Sequence, residues 1–512
     1  MSKHVLIGVD IGTTTIKAVF LDANKGKIIG TELEEISQIR EKPDRAEYEA
    51  MVWWNAVKDI ISGGMKNLNI EAESIAGLCF GGFTVMGFMV DKDGNPLNNP
   101  THYTDMRHMK EVEELEKQIG QKAIEINNNV MGPYNTFAKQ YWYKKHEPEL
   151  YRKAKYFMTE AGWITFKLTG EWSCNRSEAG FCAQYDYKTR QWSEEILDAV
   201  DIPVDKYPPL FDAWEKVGEV TQAAASQTGL AKGTPVFAGT DDAGPVAITC
   251  GAIKEGQCYL SLGSGCNVAS NISKPMYHPT CLFYPHCIPG LYMFISVLIS
   301  VGTNYKWVRD TIANTEVSMA ALLNDDPYSL MEIEAAKSKP GSGGVLFLPH
   351  LEGVFTPLDD PNARAVFLGI SSSTTRGDII RSVMEGTAMS LLHNIITIEE
   401  LGGDLNELII TGGPTKSSAW MQIIADVTGR SISLPEETEG APFGNAIVAG
   451  VGAGVFSDFE TAVDKMVRVK KDVYIPDPEN VAVYKDFFNV YLKLYPSLKD
   501  TFSDLAAIRE KA

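Results

Sequence analysis

The chain has 512 residues, enough for two to four domains at roughly 150 residues each. Apolar residues make up 44% and charged residues 22%, which excludes a disordered, collagen-like or fibrous chain. The formal net charge of −19 excludes a nucleic acid as the main partner, because a phosphate backbone needs clustered cations.

Val5, Leu6, Ile7 and Val9 predict a first strand, and Asp10 interrupts its apolar run too early for a signal peptide. Ile16, Ala18, Val19, Phe20 and Leu21 predict a second strand, joined to the first by Gly12, Thr13, Thr14 and Thr15. Residues 75–80 and 85–90 read as further strands, with a turn over 91–94. Near the middle, Thr234-Pro-Val-Phe-Ala-Gly-Thr-Asp241-Asp242 predicts a strand ending in a turn with two consecutive carboxylates. A second hairpin follows at once, with strands on either side of Gly263, Ser264 and Gly265. The longest largely apolar run, 291–301, is eleven residues, and a membrane span needs about 20, so a soluble cytoplasmic protein is expected. Later, 382–401 has helical apolar spacing and stops at Gly402 and Gly403. Residues 408–411 read as a strand, 412–414 as a sharp turn, 417–428 as a helix stopped by Gly429, and 479–495 as an aromatic-rich helix. Two similar hairpins, near residues 5 and 258, predict a duplicated α/β chain with domains 1–249 and 250–512 and a cleft between them.

The eight cysteines form no C-x-x-C pair and read as buried reduced thiols rather than a disulfide framework or a zinc site. No Walker P-loop is present, and the glycines at 450, 452 and 454 are spaced wrongly for G-x-G-x-x-G, so they read as close helix packing. The first hairpin carries more chemistry. Backbone amides and threonine hydroxyls at 12–15 can wrap an anion, Lys17 adds a point charge, and Asp10 can hold Mg²⁺. The plain alternative is an ordinary Gly-Thr turn with a solvated lysine. Likewise Asp241 or Asp242 can accept a substrate proton, or simply form an Asx turn.

Taken together these blocks resemble the FGGY family of carbohydrate kinases, most closely in layout its xylulokinase-like branch. The strongest likeness is Gly412-Gly-Pro-Thr-Lys-Ser417-Ser-Ala-Trp-Met-Gln422-Ile-Ile-Ala425-Asp426-Val-Thr-Gly429. Supporting blocks are Asp10 to Lys17, Tyr103-Thr-Asp105-Met-Arg107, Leu348-Pro-His-Leu-Glu-Gly353 and Asp360-Pro-Asn-Ala-Arg364, in the family's order. The resemblance implies an actin/hexokinase-like (ribonuclease H-like) duplicated two-domain fold, with sugar and nucleotide in the interdomain cleft. It implies ATP and Mg²⁺ as cofactors and a small sugar or polyol as partner, with room for a homodimer and no role for nucleic acid or membrane. Carried over to this chain, Gly12, Thr13, Thr14, Thr15 and Lys17 would contact phosphates, and Gly263 and Ser264 would form a second phosphate loop. Gly302, Gly412, Gly413 and Ser417 would line the nucleoside side, and Asp10 would sit at the metal. Counting from Pro235 and back from Gly263 assigns the base to Asp242, with Asp241 in second place where relatives carry glycine.

The departures concern substrate. Thr84 and Val85 stand where the xylulokinase pattern has Met-His and the glycerol kinase pattern Arg-Glu, and Val85 offers a sugar hydroxyl no hydrogen bond. Thr84, Val85, Asp105 and Asp242 are therefore the expected substrate contacts, and Asp105 has the alternative of pairing with Arg107. His102, His108, His286 and His350 read as structural. The expected activity is ATP-dependent phosphorylation of a pentulose such as xylulose. Erythritol, gluconate or ribulose remain as other substrates, and a non-catalytic sugar sensor or actin-like ATPase as another class.

Overall fold

The computed structural model describes residues 3–84, 86–132 and 134–509. Two mixed sheets organise them. In the first, β1 (Val5–Ile11), β2 (Thr15–Asp22) and β3 (Lys27–Glu35) form an antiparallel meander. Beside β1 in parallel lies β4 (Ile75–Gly82), which pairs in parallel with both β6 (Pro235–Phe237) and β7 (Thr240–Asp241); β5 (Lys216–Glu219) closes the edge antiparallel to β6. The second sheet uses β8 (Cys258–Leu262), β9 (Cys266–Ile272), β10 (Cys281–Pro285), β11 (Tyr292–Leu298), β12 (Glu407–Gly412), β13 (Ser431–Pro435) and β14 (Val469–Tyr474). Its order β11-β9-β8-β12-β13-β14 repeats β3-β2-β1-β4-β6-β5, strand sense included, with β10 added outside. The expected duplication is thus a repeat of topology.

Each sheet is covered on both faces, which is why β1 and β4 read as nearly continuous apolar runs. Alternation sends Val5, Ile7 and Val9 towards α1 (Ala50–Asn67) and α2 (Glu160–Thr169), where Trp53, Val57 and Trp163 are buried. Between the sheets run α3 (Gly244–Thr249) and, returning from the second lobe, a helix described below. The second sheet packs its outer face on α4 (Gly302–Thr311), α5 (Arg376–Glu400) and α6 (Ser418–Thr428). The returning helix is α7 (Ala441–Gly452), whose Phe443, Ala446 and Ile447 meet Leu6, Val19 and Cys79. Outermost is α8 (Pro478–Arg509). A separate apolar cluster built from Met86, Leu115, Phe137 and Tyr207 fills an insertion in the first lobe.

Two glycines let α7 lie between the lobes. A Cβ on Gly8 would fall 2.0 Å from the Pro442 carbonyl oxygen, and one on Gly444 would fall 2.1 Å from that of Pro245 in α3. The helix therefore touches β1 and α3 through backbone.

Some elements differ from their sequence expectations. Strand 85–90 shrinks to Phe88–Val90, because the chain turns at Thr84 with φ 63°; Val85 lies outside the described residues. Helix α5 begins six residues early, at a capping box in which Thr375 and Asp378 bind each other's backbone N–H. Helix α8 continues through Pro496 to Arg509. All eight cysteines are free and buried, and no helix among the described residues is long and apolar enough to cross a membrane.

Candidate active site

The first hairpin is tied back by its carbonyls. Gly12 N–H donates to Thr15 O (3.0 Å), Ile36 N–H to Thr14 O (2.9 Å) and the Tyr48 hydroxyl to Thr13 O (2.7 Å). Thr14 stands exposed at the tip. Asp10, opposite Lys17 in the hairpin register, keeps one buried carboxylate oxygen without a hydrogen-bond partner. Burial lifts its pKa to about 7, against the pull of Lys17. Lys17 itself is ion-paired to Glu439 in the segment leading into α7, a partner with no local sequence signal.

At the end of β7 the two consecutive acids part company, Asp241 closing the strand and Asp242 standing in the bend that follows it. Asp241 is fully buried; one oxygen accepts the N–H groups of Ala243 and Gly244 (both 3.1 Å), and its own N–H donates to Ser177 Oγ (3.0 Å). That oxygen is committed to the start of α3, while the other is buried without a hydrogen-bond partner. Asp242 is exposed instead, yet the protein crowded around it displaces enough water to push its pKa up to about 8, with Asp241 and Asp10 adding repulsion. Behind them Glu178 is also wholly buried, and burial together with Glu160 and Asp241 raises its pKa well above the ordinary carboxylate range. From the second lobe, the Tyr259 hydroxyl on β8 donates to Ala243 O (2.8 Å) and so holds the same turn.

The second loop is fixed by the start of α4. Val301 and Thr303 N–H donate to Ser264 O (2.7 and 3.1 Å), and Gly302 N–H donates to Gly263 O (3.0 Å). Gly263 and Ser264 are exposed. Nearby, Gly412 takes φ 109° at the end of β12, where a Cβ would meet Leu262 O at 1.9 Å. Gly413 borders open space, whereas Ser417 caps α6 by accepting Trp420 N–H (3.1 Å). These four expected nucleotide-side residues therefore gather around the β8–β12 ends, with Ser417 already engaged.

On the other side, Thr84 is buried in left-handed backbone, a strained state for a β-branched residue. Asp105 is also buried, and takes two hydrogen bonds from the Arg107 guanidinium (2.7 and 2.8 Å) and one from Ala46 N–H (2.9 Å). The pairing alternative describes its contacts. Tyr103 and Tyr134 are the exposed aromatics here, 42% and 50% accessible, with ring centroids 6.5 Å apart. Burial, then Asp242, holds the Tyr103 phenol above its usual pKa, and Glu352 of the second lobe acts on both tyrosines, so they stand where the lobes face each other. The histidines at 102, 108, 286 and 350 are all buried.

This donor set fits a divalent cation: an Asp10 oxygen lacks a partner, and burial raises the pKa of both the Asp10 and the Asp242 carboxyls, with Asp241 and Asp10 adding repulsion at Asp242. Among the described residues no group of three His, Cys, Asp or Glu forms a metal cage.

Known proteins resemble this chain along nearly its whole length. Residues 5–248 match the N-terminal domain, and residues 258–453 the C-terminal domain, of the FGGY family of carbohydrate kinases. A xylulose kinase of Staphylococcus epidermidis is 29% identical over 511 residues, covering 99% of this chain and all of that one. An autoinducer-2 kinase of Salmonella paratyphi B is 27% identical over 495 residues, covering 94% of this chain and 92% of that one. The crystal structure of a xylulose kinase from Rhodospirillum rubrum superposes with a TM-score of 0.88 at 25% identity, covering 98% of this chain and 100% of that one. The chain belongs to the FGGY family of carbohydrate kinases, and its activity is ATP-dependent phosphorylation of a small sugar or polyol.

Proposed function

We propose that the sugar is a pentulose, with xylulose the first to test, and that Asp242 is the base that takes the proton of the attacking hydroxyl. The observation that carries the base assignment is the contrast within the acid pair: Asp241 is sealed under α3, and Asp242 is open beside Asp10 and Tyr103. As the hydroxyl O–H bond breaks towards the Asp242 carboxylate, the hydroxyl oxygen bonds to the γ-phosphorus and the bond to the leaving ADP oxygen breaks. Asp10 would hold Mg²⁺, which when bound neutralises phosphoryl charge. Gly12, Thr13, Thr14, Thr15 and Lys17 would present one set of donors to the phosphates, Gly263 and Ser264 a second. Gly302, Gly412, Gly413 and Ser417 would border the nucleoside. In this reading 1–249 is the sugar-binding domain and 250–512 the nucleotide-binding domain.

The relatives named xylulose kinase that match the chain end to end support the pentulose. Thr84 and Val85 keep a second reading in play, because neither supplies the charged or imidazole partner of the xylulokinase and glycerol kinase patterns, and an autoinducer-2 kinase is nearly as similar. The deciding experiment measures ADP release from ATP–Mg²⁺ with pentuloses, tetritols, hexuloses, aldonic acids and autoinducer-2. Xylulose is expected to give the highest kcat/KM; a higher value with another class moves the substrate there, and an ATPase rate indifferent to every compound ends the kinase reading.

The Lys17–Glu439 pair gives a smaller prediction. Glu439→Gln releases Lys17 for phosphate, so KM for ATP is expected to fall roughly two- to fivefold, the scale of one partly exposed ion pair. Initial-rate kinetics over an ATP series check this.

A further inference from the structure

We propose that Asn445 is a positioning residue for phosphoryl transfer: its side chain lets α7 set the spacing between the two acid-bearing strands, β1 and β7. The inference rests on the roles proposed above for Asp10 and Asp242.

Asn445 is wholly buried on the sheet-facing side of α7. Its Nδ2 donates to Val9 O (2.9 Å), and its Oδ1 accepts from Thr240 Oγ1 (2.6 Å). The orientation of the amide is fixed by chemistry, since a carbonyl such as Val9 O can only accept, which leaves Oδ1 for the hydroxyl. Val9 immediately precedes Asp10, and Thr240 stands two residues before Asp242. Between these two strands runs β4, and there a Cβ on Gly81 would lie 2.6 Å from Asn445 Nδ2 and 2.7 Å from Thr240 Oγ1. The carboxamide thus lies flat across β4 and reaches both neighbours.

Holding a helix on a sheet does not need an amide, as Ala446, Ile447 and Ala449 of the same helix show by apolar packing alone. A buried amide is favourable only when its polar atoms are paired, and here the pairing falls on β1 one residue before Asp10 and on β7 two residues before Asp242, which follows that strand. The same helix meets β1 again at Gly8 and, through Glu439, the hairpin at Lys17. Since α7 follows β13 of the second lobe and crosses α3 at Gly444, a shift of one lobe is passed by Asn445 to both acids together.

The test compares Thr240→Val, Thr240→Ser, Asn445→Leu and the Val/Leu double variant by kcat, by KM for ATP and sugar, and by thermal unfolding. Thr240→Val removes the hydroxyl at nearly constant volume, so the comparison survives even if Asn445→Leu does not fold. Expected is a fall in kcat of roughly 10- to 100-fold for Thr240→Val with both KM values near parent, as for a small misplacement of reacting groups. Thr240→Ser, which keeps the donor, should recover most of it, and the double variant should be no worse than the poorer single one. The inference is overturned if folded Thr240→Val keeps kcat within about twofold of parent, if Thr240→Ser is as impaired as Thr240→Val, or if the losses multiply. Asp242→Asn, run alongside, leaves this bridge intact; normal turnover there with a damaged Thr240→Val would remove the base from Asp242 and leave the bridge standing.

Discussion

Replacing Asp242 by asparagine is expected to lower kcat by about 10³-fold or more, because a positioned general base contributes up to ~10⁴ and an amide cannot take the proton. Nucleotide affinity should change little, since both phosphate loops lie elsewhere in the chain; calorimetric titration with ATP checks that half. A variant with near-parental turnover would pass the base to Asp241. The same substitution should alter stability in a defined direction. The Asp242 carboxyl titrates at about 8 in the folded protein against an ordinary 3.8. Folding therefore favours its protonated form, and the stability this contributes is present below about pH 4 and is lost as pH rises through about 8. The asparagine variant escapes that loss. In ligand-free protein its melting temperature should match the parent at acid pH and exceed it increasingly up to pH 8. Equal melting temperatures at every pH would contradict the crowding of Asp242 by Asp10 and Asp241.

The second large effect is expected from Gly8→Val. A single added carbon already overlaps the Pro442 carbonyl oxygen and, at 2.2 Å, the Ala446 nitrogen. Both are backbone atoms of a helix held on its far side by α3, so neither can rotate away as a side chain would. Overpacking typically costs about 1–3 kcal/mol and more where nothing yields, so loss of ~3 kcal/mol or more, or of soluble protein altogether, is expected. Gly63 supplies the control: it lies inside α1 with nothing within 4 Å of a Cβ, so Gly63→Ala should be neutral or stabilising by up to ~1 kcal/mol. Urea unfolding of the two variants side by side makes the comparison. Similar midpoints would mean that α7 can move off β1.

What could be read in advance followed from local chemistry. Both hairpins are legible, because short Gly/Thr and Gly/Ser turns between two apolar strand-like runs leave few other conformations, and their recurrence points to the repeated strand order that the sheets display. The start of α5 was missed because its first turn is polar; its signal is the Thr375–Asp378 reciprocal cap, not apolar spacing. Asp241 and Asp242 can be ranked only by counting intervals, since adjacent acids look alike until the chain leaves the strand between them and buries one while exposing the other. Ser417 is expected at the start of its helix and on the nucleoside side, and its hydroxyl is spent as that helix's cap. Glu439 and Asn445 carried no warning at all. Asn445 meets Val9 across 436 positions of chain, and such a contact depends on how a late helix returns between two lobes, which no window of sequence encodes.

The eight buried thiols make the native protein a reporter of its own breathing. Cys182 lies in the apolar cluster of the first lobe's insertion, and Cys258, Cys266 and Cys281 in the second sheet, so alkylation by a small reagent must wait for one region or the other to open. With burial also raising the thiol of Cys79 and that of Cys266, the folded state suppresses the reactive thiolate as well as blocking access. Mapping which cysteine is labelled first, with and without nucleotide, would rank the two halves by local opening free energy without any introduced probe.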